Sequence, residues 1–289
     1  SGVRFNDFSI SALNENPLRV NGTVDLRELS AMKLDLSLKA SDMQIVNSTR
    51  PRKADVYGKA FIDVDTKVRG GMSLLDVDAK LRLRAPSNIT YIMTDAQSAL
   101  TSQSTGDMVR FVQFADTTAV AAADTVKNND MALNLNAELT IAQGTTINVD
   151  LSTDGKNKVS VLGQGTLDFS MTPFNDSRLT GRFNINGGFV RYTPPLMSEK
   201  LFNFKEGSFI SFTGDMLNPI LNIQAVDRLK ANVTQQGQNS RLIDFDVTLS
   251  VTNTLQNLNV AFDLSTSDDI TVENELASMS PDQRANQAM

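Results

Sequence analysis

The chain has 289 residues, of which 40% are hydrophobic and 21% charged, and its formal net charge is −6. This composition is typical of a folded protein and too apolar for disorder, while the acidic balance and the lack of a Lys/Arg cluster argue against a nucleic-acid partner. Cysteine and histidine are both absent. Because thiolate and imidazole catalysis and the usual zinc ligands are thereby lost, we expect no enzyme activity, no metal site and no cofactor.

Membrane and targeting signals are also missing from this sequence. No stretch is apolar over the roughly 18 residues that a membrane-spanning helix needs, and there is no signal peptide. The opening Ser-Gly is typical of a cloning remnant, and the last residues fall within a predicted helix. We therefore expect a segment of a longer protein, with any membrane anchor outside it.

Strict alternation of apolar and polar residues dominates the first third of the chain. Apolar residues occupy every second position in residues 32–40, 60–64 and 75–85. A strand places such residues on one face, whereas a helix would spread them around its axis. We predict strands here and treat residues 1–86 as one β segment.

Residues 87–130 lack this alternation and are rich in Ser, Thr, Asp and Ala. Helical spacing relates Met108, Phe111, Val112 and Ala115 within them. We predict a loop excursion that contains one short helix.

Alternation resumes in residues 131–268, which we predict to form the main sheet. The apolar runs cover residues 133–141, 147–151, 167–171, 183–185, 210–212, 221–225, 243–251 and 258–264. Residues that tolerate positive φ or favour turns mark the connections, at Asp154-Gly155, Asn175-Asp176, Asn186-Gly187-Gly188 and Gly237. Throughout the chain, each strand is thus predicted to be antiparallel to the next in a long meander, with one dry and one wet face.

Residues 269–289 are predicted to be a helical tail. Ser280 is suited to an N-cap, Pro281 to the first helical position and Gln283 to the third. Together they form a capping-box pattern.

The apolar faces require a cover. Five buried aliphatic side chains on one strand, at roughly 1.5–3 kcal/mol each, favour burial by about 10 kcal/mol. Because few helices are predicted, β-structure must supply the cover. The residues alone leave two arrangements open: a sandwich or closed barrel, and a sheet curled on itself into a trough.

Paired aspartates are the first candidate for chemistry. Three pairs share a face of their strands, at Asp63/Asp65, Asp76/Asp78 and Asp244/Asp246. Such pairs could serve glycoside hydrolysis or bind Ca²⁺. They alternate with apolar residues and lack the glycine and further carboxylates of a calcium loop, so we interpret them as a solvated face.

The Gly-Gln-Gly at residues 163–165 is the second candidate. A dinucleotide-binding motif would need a third glycine at position 168, which is Asp168, and a helix after it. Neither requirement is met, so we reject a nucleotide site.

A family resemblance rests on the stretch from Leu179 onward. Its segments are LTGRFNINGGFVRY, FNFKEGSFISFTGDMLNPILNIQA and RLIDFDVTLSVTNTLQNLNVAFDLSTSDDITVENELASMS. Together they resemble the C-terminal region of the TamB family, the translocation and assembly module subunits of the AsmA-like superfamily. The resemblance is strong over residues 131–279 and weaker before them.

The resemblance implies an all-β fold: an elongated, curled, mostly antiparallel sheet (a β-taco) that forms an open trough with a hydrophobic interior and carries few short helices. It further implies a periplasmic location, with the full-length protein anchored in the inner membrane by an N-terminal helix that lies outside this sequence. The implied function is a bridge that carries phospholipid between the inner and outer membranes. The implied partners are phospholipid acyl chains and a TamA-like outer-membrane barrel of the Omp85 family.

The apolar faces of the alternating strands supply the candidate lining for the lipid groove that the resemblance implies. The candidate lining residues are Leu133, Leu135, Leu139, Ile147, Val149, Phe169, Phe183, Ile185, Ile210, Phe212, Ile223, Phe245, Val247, Leu249, Val260 and Phe262. From the residues alone, an ordinary sandwich core is the commoner explanation of such alternation. The resemblance reverses that preference.

A second function from another class stays open. Exposed edge strands could pair with client β-proteins, so that the chain assembles outer-membrane proteins or autotransporters together with the TamA-type barrel. Lipid transport needs a continuous apolar path, whereas strand pairing needs an accessible edge and no bound lipid. A surface adhesin or sandwich without ligand is a more distant alternative.

Overall fold

The computed structural model describes residues 2–27, 32–49, 55–71, 73–92, 132–152, 154–174, 176–193, 199–234 and 240–288. Within these ranges the chain forms one large sheet and two short α-helices. The strands are β1 (Gly2–Ile10), β2 (Leu18–Asp25), β3 (Lys33–Ser48), β4 (Val56–Gly71), β5 (Leu74–Leu83), β6 (Asn88–Ile92), β7 (Ala132–Asp150), β8 (Lys158–Met171), β9 (Ser177–Tyr192), β10 (Lys200–Phe204), β11 (Ser208–Gly214), β12 (Ile220–Val233), β13 (Arg241–Thr254) and β14 (Asn259–Ser265). The helices are α1 (Ile270–Ser278) and α2 (Pro281–Ala288), and a 3₁₀ turn covers Leu255–Asn257.

The strands follow the chain order across the sheet almost throughout. The path is β1-β2-β3-β4-β5-β7-β8-β9-β10-β12-β13-β14, with β6 paired to β4 and β7, and β11 paired to β9 and β12. All the described pairs are antiparallel except those that β5 and β6 make with β7. The predicted meander is therefore wrong at this step. Parallel neighbours need a crossover of a dozen or more residues, and residues 93–131 provide the length for one.

A row of strand breaks crosses the sheet. The strands β5 and β6 lie end to end between β4 and β7, separated by residues 84–87, and β10 and β11 do the same between β9 and β12. Register shifts in β3, in β7 and between β8 and β9 continue the same row across the sheet. Because bulges and breaks bend strands, this row forms a crease. The first wall holds β5, β11 and the corresponding halves of the long strands, and the second wall holds β6, β10 and the other halves.

Buried serines complete the hydrogen bonding at both strand breaks. Ser87 is 1% exposed, and its Oγ accepts a hydrogen bond from the Phe61 backbone N–H at 3.0 Å. Ser208 is 3% exposed, and its Oγ accepts from the Gln224 N–H at 3.0 Å. Each hydroxyl thus satisfies a backbone donor that loses its strand partner where the strand breaks.

Burial is greatest along the crease. Ala60 and Ala225 are fully buried, and Ile185 is 1% exposed. These residues belong to or border one apolar cluster that extends from β3 to β12. A flat single sheet would leave the middle of its face open to water, so the two walls must face each other across the apolar side. The predicted fold class, a curled and mostly antiparallel all-β sheet with a hydrophobic interior, is confirmed.

The helices close the β14 end of the sheet. Val272 and Leu276 of α1 are buried against Ile243, Phe245 and Val247 of β13. Asp269 caps α1 by accepting hydrogen bonds from the backbone N–H groups of residues 271 and 272. The predicted helical tail is therefore present.

The predicted capping box is confirmed at the start of α2. The Ser280 N–H donates to the side-chain oxygen of Gln283 at 2.9 Å, and the Gln283 N–H donates to Ser280 Oγ at 3.3 Å. Pro281 is the first helical residue. The local sequence was sufficient here because every group in the motif lies within four residues.

Two other local predictions need correction. Asn186-Gly187-Gly188 is no hairpin turn, because it lies inside β9 and supplies the extra residue where β9 pairs with β8. Gly188 has φ +115°, and an added Cβ would clash with the Ser160 carbonyl oxygen. The start of the predicted excursion is also wrong, since residues 88–92 form β6.

The turn at Asp154-Gly155 is confirmed, with Gly155 at φ +71° between β7 and β8. Asp176 lies in the predicted connection before β9, but Asn175 is outside the described residues. The turn at Gly237 and the helix predicted around Met108 also lie outside the described residues.

Candidate functional site: an apolar groove

The strand register puts all sixteen predicted lining residues on one face of the sheet, called here the inner face. Leu133, Leu135, Leu139, Ile147 and Val149 lie on β7, Phe169 on β8, Phe183 and Ile185 on β9, Ile210 and Phe212 on β11, Ile223 on β12, Phe245, Val247 and Leu249 on β13, and Val260 and Phe262 on β14. Phe183, for example, pairs with Ile210, and Ile210 with Leu221. Every one of the sixteen is buried or half-buried. The inner face is therefore apolar and partly accessible along its length.

The crease brings one group of these residues together. Phe183 and Ile185 are 7% and 1% exposed, and Leu139, Ile147 and Ile210 are among the half-buried residues that pack against this cluster. We call this inner face between the walls the groove. Its half-buried side chains keep part of their surface open toward the space between the walls.

The helix α1 covers a second group. Phe245 and Val247 are 6% and 3% exposed beneath Val272 and Leu276, with Phe262 packed beside them. These positions are on the inner face, but α1 occupies the space above them. The structure therefore separates the open groove from a closed section at its β14 end.

Several inner-face residues were not in the predicted set. Phe202 of β10 packs in the closed section, and Phe204 of β10 and Ile89 of β6 pack in the crease cluster. The alternation in Phe202-Asn203-Phe204 was a usable signal, although its short length concealed it. The inner face also continues into the first third of the chain, where Ala60 and Leu83 belong to the same cluster.

The comparison with protein families decides where the chain belongs. The family model described as the TamB C-terminal domain matches residues 6–285, which is nearly the whole chain. The chain is a member of the TamB C-terminal domain family. The resemblance predicted from the sequence is thereby confirmed. No significant match is found among curated proteins, and none among solved structures.

The outer face of this TamB domain is polar and internally paired. Asp63 Oδ2 lies 3.0 Å from the Arg84 guanidinium, Asp65 lies 3.3 Å from Lys39 Nζ, and Asp244 lies 3.0 Å from Lys230 Nζ. Two of the three predicted aspartate pairs thus form ion pairs, whereas in the third Asp76 accepts a hydrogen bond from Asn134. In the part of the chain that the structure describes, no group of three or more acidic side chains lies close enough together to hold a metal ion.

A cavity of about 620 Å³ is also found on the outer side of the TamB domain, between β2, β3, β4, β5 and β7. Its lining includes Arg19, Lys39, Asp65, Lys80 and Glu138. Because its walls are charged and several of its residues pair with one another, we do not consider it the functional site. The groove on the inner face is the better candidate.

Two aspartates of the TamB domain have shifted pKa values of opposite sign. On the outer face, a hydrogen bond from Arg228, with Nε 2.7 Å from the carboxylate, lowers the pKa of Asp246. On the inner face, burial raises the pKa of Asp227, and the positive charge of Lys200 partly offsets that rise. The surroundings on each face of the sheet therefore shift the pKa of these two carboxylates in opposite directions.

None of the helices in the described ranges of this TamB domain is long and apolar enough to span a membrane.

Proposed function

We propose that this TamB-family domain shields phospholipid acyl chains in its groove and forms a periplasmic segment of a bridge that carries phospholipid between the inner and outer membranes. Acyl chains lie between the walls, while headgroups stay in water at the rims. The process needs no catalytic residue and no cofactor. The full-length protein is anchored in the inner membrane and contacts a TamA-like Omp85 barrel in the outer membrane.

The continuity of the inner face is the observation that carries this proposal. Twelve strands follow one another along the path of the sheet. At a spacing of about 4.8 Å, they give the inner face a contour length on the order of 50 Å, of which the β14 end is closed by α1. The lining is apolar over most of that path and half-buried in many places, as expected for a surface that a flexible apolar ligand covers.

The energetics favour acyl chains as that ligand. Each methylene removed from water contributes about 0.8 kcal/mol, so some ten methylenes contribute on the order of 8 kcal/mol. A charge at the same place would have to be desolvated without a partner and would exclude the chain. A single charged substitution in the groove should therefore interrupt the path.

The test compares Phe212→Asp with Thr213→Asp. Phe212 is a half-buried residue of the inner face, and its neighbour Thr213 on the same strand is exposed on the outer face. Both purified variants would be analysed for co-purifying phospholipid by native mass spectrometry and organic extraction. We expect near-stoichiometric phospholipid in the unmodified chain and in Thr213→Asp, and its loss in Phe212→Asp with the fold retained by circular dichroism.

Full lipid retention in Phe212→Asp would show that the groove is not the lipid path. A stable but lipid-free unmodified chain would favour the second candidate function, assembly of outer-membrane proteins by strand pairing. One observation supports that candidate: within the described residues β1 has a strand partner on one side only, and its Val3, Phe8 and Ile10 are 44–50% exposed.

A further inference from the structure

The second wall is forked between β10 and β12. The two strands pair only at Asn203–Val226 and Phe204–Ala225, next to the crease. Toward the rim, residues 227–233 of β12 have described strand partners on β13 alone, and Lys200–Phe202 pair with β9 alone. The two strands therefore separate on the rim side of the crease, and Phe202 of β10 packs between them against the closed section.

Two side chains of opposite charge lie on the inner face, one on each strand of this fork. Lys200 shares the inner face of β10 with Phe202 and Phe204, because the three residues occupy every second position of the strand. Asp227 follows Ile223 and Ala225 at every second position of β12. Both charged side chains are half-buried.

Neither charge is neutralised by a close partner. Within the described residues, the Asp227 carboxylate has no hydrogen-bond or ion-pair partner, and the same holds for Lys200 Nζ. Lys200 is near enough to act on Asp227 through its charge. The half-buried carboxylate on an apolar face therefore keeps hydrogen-bond acceptor capacity for a ligand.

The position of the fork in the groove restricts that ligand. On the crease side lie Phe204, Ile210 and Ile223 of the open groove, and on the other side α1 closes the inner face over Val247. An acyl chain that lies in the open groove would reach its end at this point. A headgroup attached to that chain would then meet the fork, where water has access.

We propose that the fork binds the headgroup of a phospholipid that carries a primary amine, with the Asp227 carboxylate accepting hydrogen bonds from the ammonium and Lys200 Nζ donating to the phosphate. This inference rests on the proposed function and adds a headgroup preference to it. One negative and one positive side chain at the fork complement a phosphoethanolamine group, whose ammonium and phosphate lie a few bonds apart. An anionic headgroup without an amine would leave Asp227 unpaired.

The experiment offers the whole chain a choice of headgroups. Purified protein is incubated with vesicles of equal parts phosphatidylethanolamine and phosphatidylglycerol, then separated, and the bound lipids are quantified by mass spectrometry. We expect the unmodified chain to prefer phosphatidylethanolamine. In Asp227→Asn the ratio of bound phosphatidylethanolamine to phosphatidylglycerol should fall about three- to tenfold, as for the loss of one partly exposed charged contact.

Two further variants separate this site from a general charge effect. Asp78→Asn removes an exposed carboxylate of the outer face and should leave the ratio unchanged. Lys200→Gln should lower the binding of both lipids, since both carry the phosphate. An unchanged ratio in Asp227→Asn, or an equal change in Asp78→Asn, overturns the headgroup site while lipid binding in the groove stands. If the unmodified chain binds neither lipid, the proposed function fails and this inference fails with it.

Discussion

At the scale of single residues, Asp227 and Asp246 show how the two faces treat the same side chain. Asp246 lies on the outer face beside Arg228, which lowers its pKa, whereas Asp227 lies on the inner face, where burial raises its pKa. The two residues are on adjacent strands, β12 and β13. They provide a matched pair for testing which face of the sheet each aspartate occupies.

The pH dependence of stability should differ in sign between the two. Because the folded pKa of Asp227 is raised, the folded state binds more protons than the unfolded state above about 3.8, and stability falls as pH rises through the folded pKa. Asp227→Asn should therefore gain stability relative to the unmodified chain as pH rises from 4 to 7.

The Asp246 effect runs the other way. Its lowered pKa adds stability that is present above about 3.8 and lost as pH falls through the folded pKa. Asp246→Asn should be destabilised at pH 7, with the difference fading on acidification. Thermal melts followed by circular dichroism from pH 7 down to about pH 2 measure both effects, because the Asp246 contribution is lost only in the acidic part of the range. Parallel pH profiles for the two variants would contradict the assignment of faces.

At the scale of elements, the pairing of β8 with β9 explains why glycine occupies position 163 of the Gly-Gln-Gly sequence. A Cβ at Gly163 would clash with the Phe183 ring and lie 2.5 Å from the Asn184 carbonyl oxygen. The absence of a side chain at Gly163 therefore leaves room for a buried aromatic ring at the crease. Close packing of strand against ring is the reason for glycine there.

Gly163→Ala should therefore destabilise the fold by about 1–3 kcal/mol, the range for overpacking a filled core. Gly187→Ala is the matched control, because an added Cβ there has no atom within 4 Å. Urea denaturation should show a lower midpoint for Gly163→Ala and an unchanged or slightly higher one for Gly187→Ala. Equal midpoints for the two variants would mean that the Phe183 ring moves aside at no cost.

At the scale of the whole molecule, α1 determines how much of the inner face is open. It is fixed by an ion pair of 2.6 Å between Arg241 and Asp269 and by the burial of Val272 and Leu276. Arg284 of α2 donates to the Met279 carbonyl oxygen at 2.8 Å and pairs with Asp263 of β14 at 2.6 Å. The C-terminal helices thus act together as an end wall of the groove.

Loosening α1 should expose the surface beneath it. The chain has no cysteine, so Val247→Cys provides a single thiol at a position that is 3% exposed. Adding Asp269→Ala removes the helix cap and the ion pair. Because loss of a cap alone costs about 1 kcal/mol, labelling of the Val247→Cys thiol should become about fivefold faster or more.

The control for this labelling is Ile270→Cys, since Ile270 is already 73% exposed. Its labelling rate should be the same with and without Asp269→Ala. A rate at Val247→Cys that Asp269→Ala leaves unchanged would show that the cap and ion pair do not hold α1 on the sheet.

The alternation of the sequence was enough to assign faces to side chains. Leu133, Phe183 and Ile223 were placed on the inner face from their spacing alone, because a strand has a side-chain period of two whatever it packs against. The same rule could have found Asp227, which breaks the apolar series Leu221, Ile223 and Ala225 two residues later. The capping box at Ser280 was also predictable, since its groups are neighbours in the chain.

By itself, therefore, the sequence determined that this protein is a sided β-sheet of the TamB family with one apolar face, since both the alternation and the family segments are properties of local stretches. Only the tertiary structure decided where the sheet creases, that β7 runs parallel to β5 and β6, that α1 closes the section over Val247, and that Lys200 and Asp227 lie on the two sides of one fork. Those features depend on which residues far apart in the chain come into contact. No local period records such contacts, because the free energy of closing and packing the sheet depends on all its strands together.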